Sequence, residues 1–357
     1  MHKSILEAIG KTPLVMLSRI SSQLKLNVYA KMEASNPGGS IKDRAAVHII
    51  EGAIKDGSLH QGSTVVESSS GNMGIGLAQV CNYHRIPFIC VVDNKITKMN
   101  LSILQAYGVK VDMVRAPDPE TGEYLTARLN RVRELLASNE HAFWPNQYLN
   151  KRNSESHYLG TFKEIFEDLG GDVDYVLCAT STCGTIDGCV RYIREHNLKT
   201  KVIAVDALGS LIFSDRKAKR LIPGFGASTK PDLCPYDYIN EYIHVTDSDC
   251  IRGCRWLLES ESILAGGSSG GVVSALRELR KRIPEHSRCV MIFPDRGERY
   301  MDTIYSEAWV QLNIGSLIDE VINVRLVKKC MDVSTKFRMD RKLLPSFRDG
   351  KNRPSRR

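Results

Sequence analysis

The chain has 357 residues, 42% of them hydrophobic and 7% aromatic, enough for one large domain or two α/β domains and too apolar for a disordered protein. Its formal charge of +8 sits at one end: residues 326–357 hold eleven Lys or Arg against three Asp, so the preceding 325 residues are formally neutral, which argues against a nucleic-acid-binding body. Ten cysteines lie without a CxxC pair, no Cys and His cluster has zinc-ligand spacing, and the longest apolar runs, such as 86–92, are strand-sized, so we expect a soluble cytoplasmic protein with buried thiols, no metal and no membrane span.

Short β-branched runs alternate with segments of helical period. Strands are expected at 27–32, 63–67, 88–92, 110–114, 175–179, 201–206, 243–245 and 289–293, and helices at 43–56, 74–84, 99–107, 124–137, 185–196, 249–260 and 270–282. That alternation predicts an α/β fold of two open, mostly parallel, helix-covered sheets. The rhythm breaks at 143–152, where Trp144, Pro145 and several polar residues intervene. A domain change is placed there, with 1–37 and 151–325 as a larger α/β domain, 38–150 as a smaller substrate-gating one, and 326–357 as a flexible basic tail. A ligand is expected in the cleft between the two domains.

Four stretches could carry chemistry. Asn36, Pro37, Gly38 and Gly39 form a turn before a helical segment, which places Lys42 at a helix entrance, where positive charge is disfavoured. Asp43 and Glu51 could offset it, and Lys42 reads either as a solvated surface lysine or as an amine held as a Schiff base with an aldehyde cofactor. Ser68-Ser69-Ser70-Gly71-Asn72-Met73-Gly74-Ile75-Gly76 follows a strand and opens a helix. Its G-x-x-G-x-G spacing is not the dinucleotide fingerprint, which leaves an anion site or a plain turn. Ser181-Thr182-Cys183-Gly184-Thr185 also follows a strand and lacks the lysine of a Walker loop. Its amides and hydroxyls could converge on a phosphate, or serve tight packing alone. Gly266, Ser268 and Gly270 satisfy G-x-S-x-G, the elbow of a serine hydrolase. The only later histidine, His286, precedes Asp295, against the order such enzymes require, and the segment before the motif looks helical.

Together with Gly10-Lys11-Thr12-Pro13-Leu14 and the match of Asn36 to Arg44 to N-P-x-x-S-x-K-D-R, these motifs run in one order from about Ile5 to Trp309. In this the chain resembles the fold-type II family of pyridoxal-phosphate enzymes, which includes cysteine synthase, cystathionine β-synthase and the tryptophan synthase β subunit. The resemblance implies a tryptophan synthase β-like fold and pyridoxal 5'-phosphate as cofactor, carried by Lys42. It makes Asn72 the partner of the ring 3-hydroxyl, Ser181, Thr182, Cys183, Gly184 and Thr185 the phosphate loop, and Ser268 the group facing the pyridine nitrogen. The loop of Ser69, Ser70, Gly71, Asn72, Met73 and Gly74 would hold the substrate carboxylate, with Gln147 and Tyr148 beside it. A hydroxyl partner does not force protonation of the ring nitrogen, and the weaker electron sink suits loss of a β-leaving group. Lys42, released as substrate binds, would remove the α-proton to give an aminoacrylate open to attack.

Met73, Ser181, Cys183 and Tyr148 depart from the residues usual in cysteine synthase. The stretches 91–96, 205–210, 223–228 and 294–300 are most similar to a narrower branch, the N-(2-amino-2-carboxyethyl)-L-glutamate synthases of siderophore and antibiotic pathways making 2,3-diaminopropionate. That branch implies a transferase of the 2.5.1 class in which O-phospho-L-serine loses phosphate and the amine of L-glutamate adds. Such anionic substrates call for cations, and Arg128, Arg296, Arg299 and Lys95 are candidates, each equally readable as a surface or salt-bridged residue. Tyr148 and Ser181 could orient carboxylates. The alternative within the family is cysteine synthase acting on O-acetylserine or O-phosphoserine with sulfide, and a catalytically silent relative that only binds ligand is a further one. The expected partners are small amino-acid substrates and a second copy in a homodimer.

Overall fold

Two sheets organise the chain, described here for residues 1–315 in a computed structural model. The first two strands, β1 (Leu14–Met16) and β2 (Asn27–Met32), belong to the larger sheet. The next four, β3 (Thr64–Ser68), β4 (Phe88–Asp93), β5 (Lys110–Val114) and β6 (Ala142–Phe143), form the smaller one. The last four, β7 (Tyr175–Ala179), β8 (Lys201–Ala207), β9 (Glu241–Val245) and β10 (Arg288–Phe293), return to the larger sheet. The orders are β1-β2-β10-β7-β8-β9 and β5-β4-β3-β6. Every pairing is parallel except β1 with β2 at the edge of the larger sheet.

Helices fill the crossovers. In chain order they are α1 (Ser18–Leu24), α2 (Lys42–Lys55), α3 (Asn72–His84), α4 (Lys98–Ala106) and α5 (Tyr124–Ala137), then α6 (Lys151–Ser156), a π-helical turn at His157–Phe162, and α7 (Lys163–Asp168). They end with α8 (Gly184–Glu195), α9 (Asp247–Glu261), α10 (Gly267–Leu279) and α11 (Glu307–Asn313). Met1–Trp309 make one compact unit, a second begins at Val310, and the basic stretch 326–357 lies outside the described residues.

Burial follows from sequence pattern. Strand β10 is flanked on both sides, by β2 and β7, and Cys289–Phe293 is correspondingly apolar throughout and buried. The stripe Ala45, Ala46, Ile49, Ile50 and Ala53 of α2 joins Ile75, Leu77 and Val80 of α3 in the core of the smaller sheet. Ile186, Cys189, Val190 and Ile193 of α8 cover Val176, Cys178, Val202 and Ala204 of the larger sheet. The nine described cysteines are all buried and free. No described helix is long and apolar enough to cross a membrane.

All eight expected strands and seven expected helices are present, with ends shifted by at most three residues. The expectation left out β1, α1, β6, α11 and the stretch 151–168. Strands of two and three residues carry too little alternation to register. In 151–168 the helical period changes at the π turn, so no single 3.6-residue stripe runs through it. The wide turn makes room for Arg44: a Cβ on Gly160 would fall 2.6 Å from its guanidinium.

A buried ionic network ties α2 to the larger sheet. Arg44 pairs with Glu33 at 2.7 Å and with Glu164 at 2.6 Å, Thr12 donates to Glu33, and Lys31 on β2, with no exposed surface, pairs with Glu164 at 2.9 Å. Breaking one partner of a buried pair strands the other charge, so Glu33→Gln should lower unfolding stability by about 3 kcal/mol in denaturant titrations. Arg44 and Lys31 outweigh burial and hold the Glu164 carboxyl down to about 2. Its contribution is complete above its ordinary 4.5 and is lost as pH falls towards 2, so Glu164→Gln should flatten the acid side of the stability profile over that interval.

Candidate active site

The parallel strands bring their carboxyl ends, and the helices that follow, to a shared edge of each sheet, where open α/β sheets bind ligands. Lys42 is the first residue of α2. The turn before it closes by Gly39 N–H to Asn36 O at 2.7 Å and by Gly38 N–H to the Asp43 carboxylate at 2.6 Å. Gly39 has φ +84°, and a Cβ on Gly38 would meet Asp43 at 2.6 Å, so both glycines are required. The Lys42 amine points across to Thr182, with Nζ 3.4 Å from Oγ1. Burial pushes that amine down to about 8, with Cys183 acting in the opposite direction.

Asn72 opens α3. One helical turn later Gly76 packs on the Lys42 carbonyl, where a Cβ would come within 3.2 Å of the oxygen, so Asn72 shares the face of α3 turned to Lys42. Its Nδ2 donates to Asp295 Oδ2 at 2.7 Å and its Oδ1 accepts from Arg299. Asp295 is the meeting point of three segments. It bridges to Ser40, the neighbouring Arg296 bridges to Ala265, and Ile41 N–H donates to Pro294 O at 2.8 Å. Ser268 stands in the first turn of α10, whose N-terminal neighbour Gly266 lies against the Asp295 carboxylate.

Across from Lys42, the 181–185 loop links β7 to α8. Cys183 has φ 64°, the left-handed conformation, which turns successive backbone N–H groups towards one side at the amino end of the helix. Gly184 must lack a side chain, since a Cβ would fall 2.3 Å from Asn153 Oδ1. Asn153 donates to Gln147 O at 2.8 Å and to Thr182 Oγ1 at 3.2 Å. Thr185 Oγ1 is 3.3 Å from His157 Nε2, whose other ring nitrogen lies 2.9 Å from Thr161 Oγ1. Burial first, then the Lys42 charge, hold His157 well below its ordinary value, so the ring is neutral. Ser181 Oγ donates to Gly226 O at 3.2 Å.

The loop before α3 folds on Ser69, whose Oγ accepts Gly74 N–H at 2.9 Å and Gly71 N–H at 3.4 Å. Ser70 Oγ accepts from Arg128 at 3.0 Å, and Arg128 Nε lies 3.3 Å from Asp93. The Met73 side chain packs into the core of the smaller sheet. Glu67, at the end of β3, is pushed up to about 7 by burial while Trp144 and the Ser68 N–H donate to it. Burial raises the Tyr148 phenol, with the guanidinium groups of Arg128 and Arg220 opposing. Arg296 is turned away to Ala34 O at 2.8 Å, and Lys95 lies over the Tyr124 ring at the surface. The structure thus gathers Lys42, Asn72 and the 181–185 loop with the start of α10, and ties Arg128 to the substrate-side loop.

The family model described as "Pyridoxal-phosphate dependent enzyme" matches residues 5–295. The chain belongs to this family. Solved structures agree. An O-acetylserine dependent cystathionine β-synthase from Helicobacter pylori is 29% identical, with 86% of this chain and 99% of that one covered at a TM-score of 0.79. A hydrogen sulfide-producing enzyme from Fusobacterium nucleatum is 30% identical over 84% of this chain and 100% of that one, at 0.78. An O-acetylserine sulfhydrylase isoform 3 from Entamoeba histolytica is 30% identical over 85% and 92%, at 0.79. The chain is a pyridoxal-phosphate-dependent β-replacement enzyme of the cysteine synthase type.

The residues present fit that cofactor. A dry amine at Lys42 faces a loop whose backbone N–H groups could hold a phosphate, and Asp295 Oδ1 and Ser269 Oγ are buried without a partner among the described residues. When bound, pyridoxal phosphate supplies the electron sink that acidifies the α-carbon of an amino acid. The hydrolase reading of Ser268 fails, because α9 rather than a strand precedes its turn. Sequence reasoning missed Asp295, Tyr300, Asn153, His157 and Arg220 as site residues. The polar string straight after the apolar β10 was the available signal for the first two.

An amine held down to about 8 should react with free aldehyde well below the ordinary lysine value of 10.5. Capture of pyridoxal phosphate by cofactor-free protein should therefore accelerate with pH through about 8 and then level off, read by the visible absorbance. Borohydride reduction should leave a pyridoxyl group on the wild-type chain and none on Lys42→Ala.

Proposed function

We propose that the enzyme joins O-phospho-L-serine and L-glutamate, giving N-(2-amino-2-carboxyethyl)-L-glutamate and phosphate, a step towards L-2,3-diaminopropionate. The observation that carries this reading is the cationic wall on the substrate side. Arg128, with only 16% of its side chain exposed, reaches Ser70, and Arg220 stands with it around Tyr148. Sulfide needs no such wall, whereas a dicarboxylic amino acid does. The matched proteins, which include an O-ureido-L-serine synthase 28% identical over 88% of this chain, are named for cystathionine, hydrogen sulfide and O-ureido-L-serine, so the product varies on this fold.

In this reading Lys42 carries the cofactor and takes the α-proton of phosphoserine, which lets phosphate leave the β-carbon. Thr182 Oγ1, 3.4 Å away, accepts a hydrogen bond from the same amine and orients it. Asn72 meets the ring 3-oxygen, Ser268 the ring nitrogen, and Ser181 to Thr185 the cofactor phosphate. The backbone of Ser69, Ser70, Gly71 and Met73 holds the phosphoserine carboxylate, with Gln147 beside it. Arg128, Tyr148 and Ser181 hold glutamate with its amine free to add at the β-carbon, while Arg296 adds positive charge beside the Lys42 turn. Residues 38–150 gate this cleft against 1–37 and 151–325, and the protein works as a homodimer in the cytoplasm.

Offered phosphoserine with glutamate and sulfide in competition, the enzyme should give chiefly the glutamate adduct by mass spectrometry. Cysteine as the main product overturns the proposal. Arg128→Ala should raise KM for glutamate by about thirtyfold, a loss of about 2 kcal/mol, and raise KM for phosphoserine by less, through the lost bond to Ser70.

A further inference from the structure

We infer that Asp295 and Arg299 clamp the side-chain amide of Asn72 in a single orientation, and thereby decide which tautomer of the bound cofactor the enzyme holds. This inference rests on the reading that Asn72 meets the ring 3-oxygen. It does not depend on the choice of nucleophile.

An asparagine amide has two faces of opposite polarity, and nothing in its shape prefers one. Here the neighbours choose. Nδ2 donates to Asp295 Oδ2 at 2.7 Å, and Oδ1 accepts from an Arg299 nitrogen. A guanidinium has no lone pair to offer, and Asp295 Oδ2, which already accepts from Tyr300, has no proton to give. Turning the amide over would set oxygen against carboxylate and NH2 against guanidinium, two repulsions in place of two charge-assisted bonds. The second hydrogen on Nδ2 is then left for a ligand, and the Nδ2 side of Asn72 is always a donor. A fixed donor favours a 3-oxygen that carries negative charge and has given up its proton.

The clamp is itself held. Tyr300 O–H donates to the same Asp295 Oδ2 at 2.5 Å, and Arg299 also reaches Gly38 O in the turn before Lys42. Asp295 is fixed at the backbone by its bridge to Ser40 and by Gly266 N–H donating to its carbonyl at 3.1 Å. Its carboxylate fits only because residue 266 is glycine: a Cβ there would fall 1.9 Å from Oδ1. Asp295 and Arg299 act through Asn72 and are positioning residues.

The test compares the visible absorbance and cofactor dissociation of the loaded enzyme in wild type, Asn72→Ala, Asp295→Asn, Arg299→Gln and Arg299→Lys. Asn72→Ala sets the scale, moving intensity from the long-wavelength band of the ionised 3-oxygen to the shorter-wavelength band. Asp295→Asn can turn either face to Asn72, so it should give a mixed spectrum and about tenfold weaker cofactor retention. Arg299→Gln should behave alike, and Arg299→Lys, which keeps a pure donor, should restore the wild-type band ratio. Lower melting temperatures with an unchanged band ratio in both Asp295→Asn and Arg299→Gln overturn the clamp. If Asp295→Asn does not fold, the pair of Arg299 variants decides by the same criterion. A wild-type spectrum in Asn72→Ala overturns the reading of Asn72 and the clamp together, whereas a shift in Asn72→Ala alone overturns only the clamp.

Discussion

A lysine whose amine is dry, at the amino end of one helix and facing the amino end of another, is the constraint on which the site depends. Positive charge is disfavoured there twice, by desolvation and by two sets of helix dipoles. The structure answers by loosening the proton on that amine, to about 8 from the ordinary 10.5. It also answers with acceptors, since Thr182 Oγ1 lies within reach and Asp43 caps the turn. The buried ionic network of Arg44, Glu33, Glu164 and Lys31 then serves as more than ballast: it holds the first turn of α2 against the larger sheet, two residues from the reactive nitrogen.

The second organising fact is where β10 leaves its sheet. A central strand flanked by β2 and β7 ends at Phe293, and the residues just beyond pair with the Lys42 turn on one side and with the start of α10 on the other. Helix α3 is drawn to the same point by side chains, through Asn72 to Asp295 and Arg299.

Much of this was legible in the chain. Each expected strand is a short run in which most positions are apolar or β-branched, and Lys42, Asn72, Ser181 and Ser268 all fall in small-residue turns that open helices, a local pattern that needs no partner to be seen. Asp295, Asn153 and His157 were not legible as site residues for the converse reason. Asp295 meets Asn72 across 223 positions, and His157 reaches Thr185 from a π-helical turn with no regular stripe. Arg220 sits in a stretch without periodic structure and acquires its meaning from Tyr148, from the Phe225 carbonyl it donates to at 2.8 Å and from Ser228 Oγ at 3.0 Å. Local chemistry is written locally; the parts that orient it come from far along the chain.

Cys183 holds a left-handed backbone that a residue with a β-carbon adopts at a cost of about 1 kcal/mol. The loop carries that cost on its own account, and an anion gathered by the same amides would offset it. A ligand that binds only the folded chain stabilises it, so retention of the cofactor and resistance to heat are coupled in this protein.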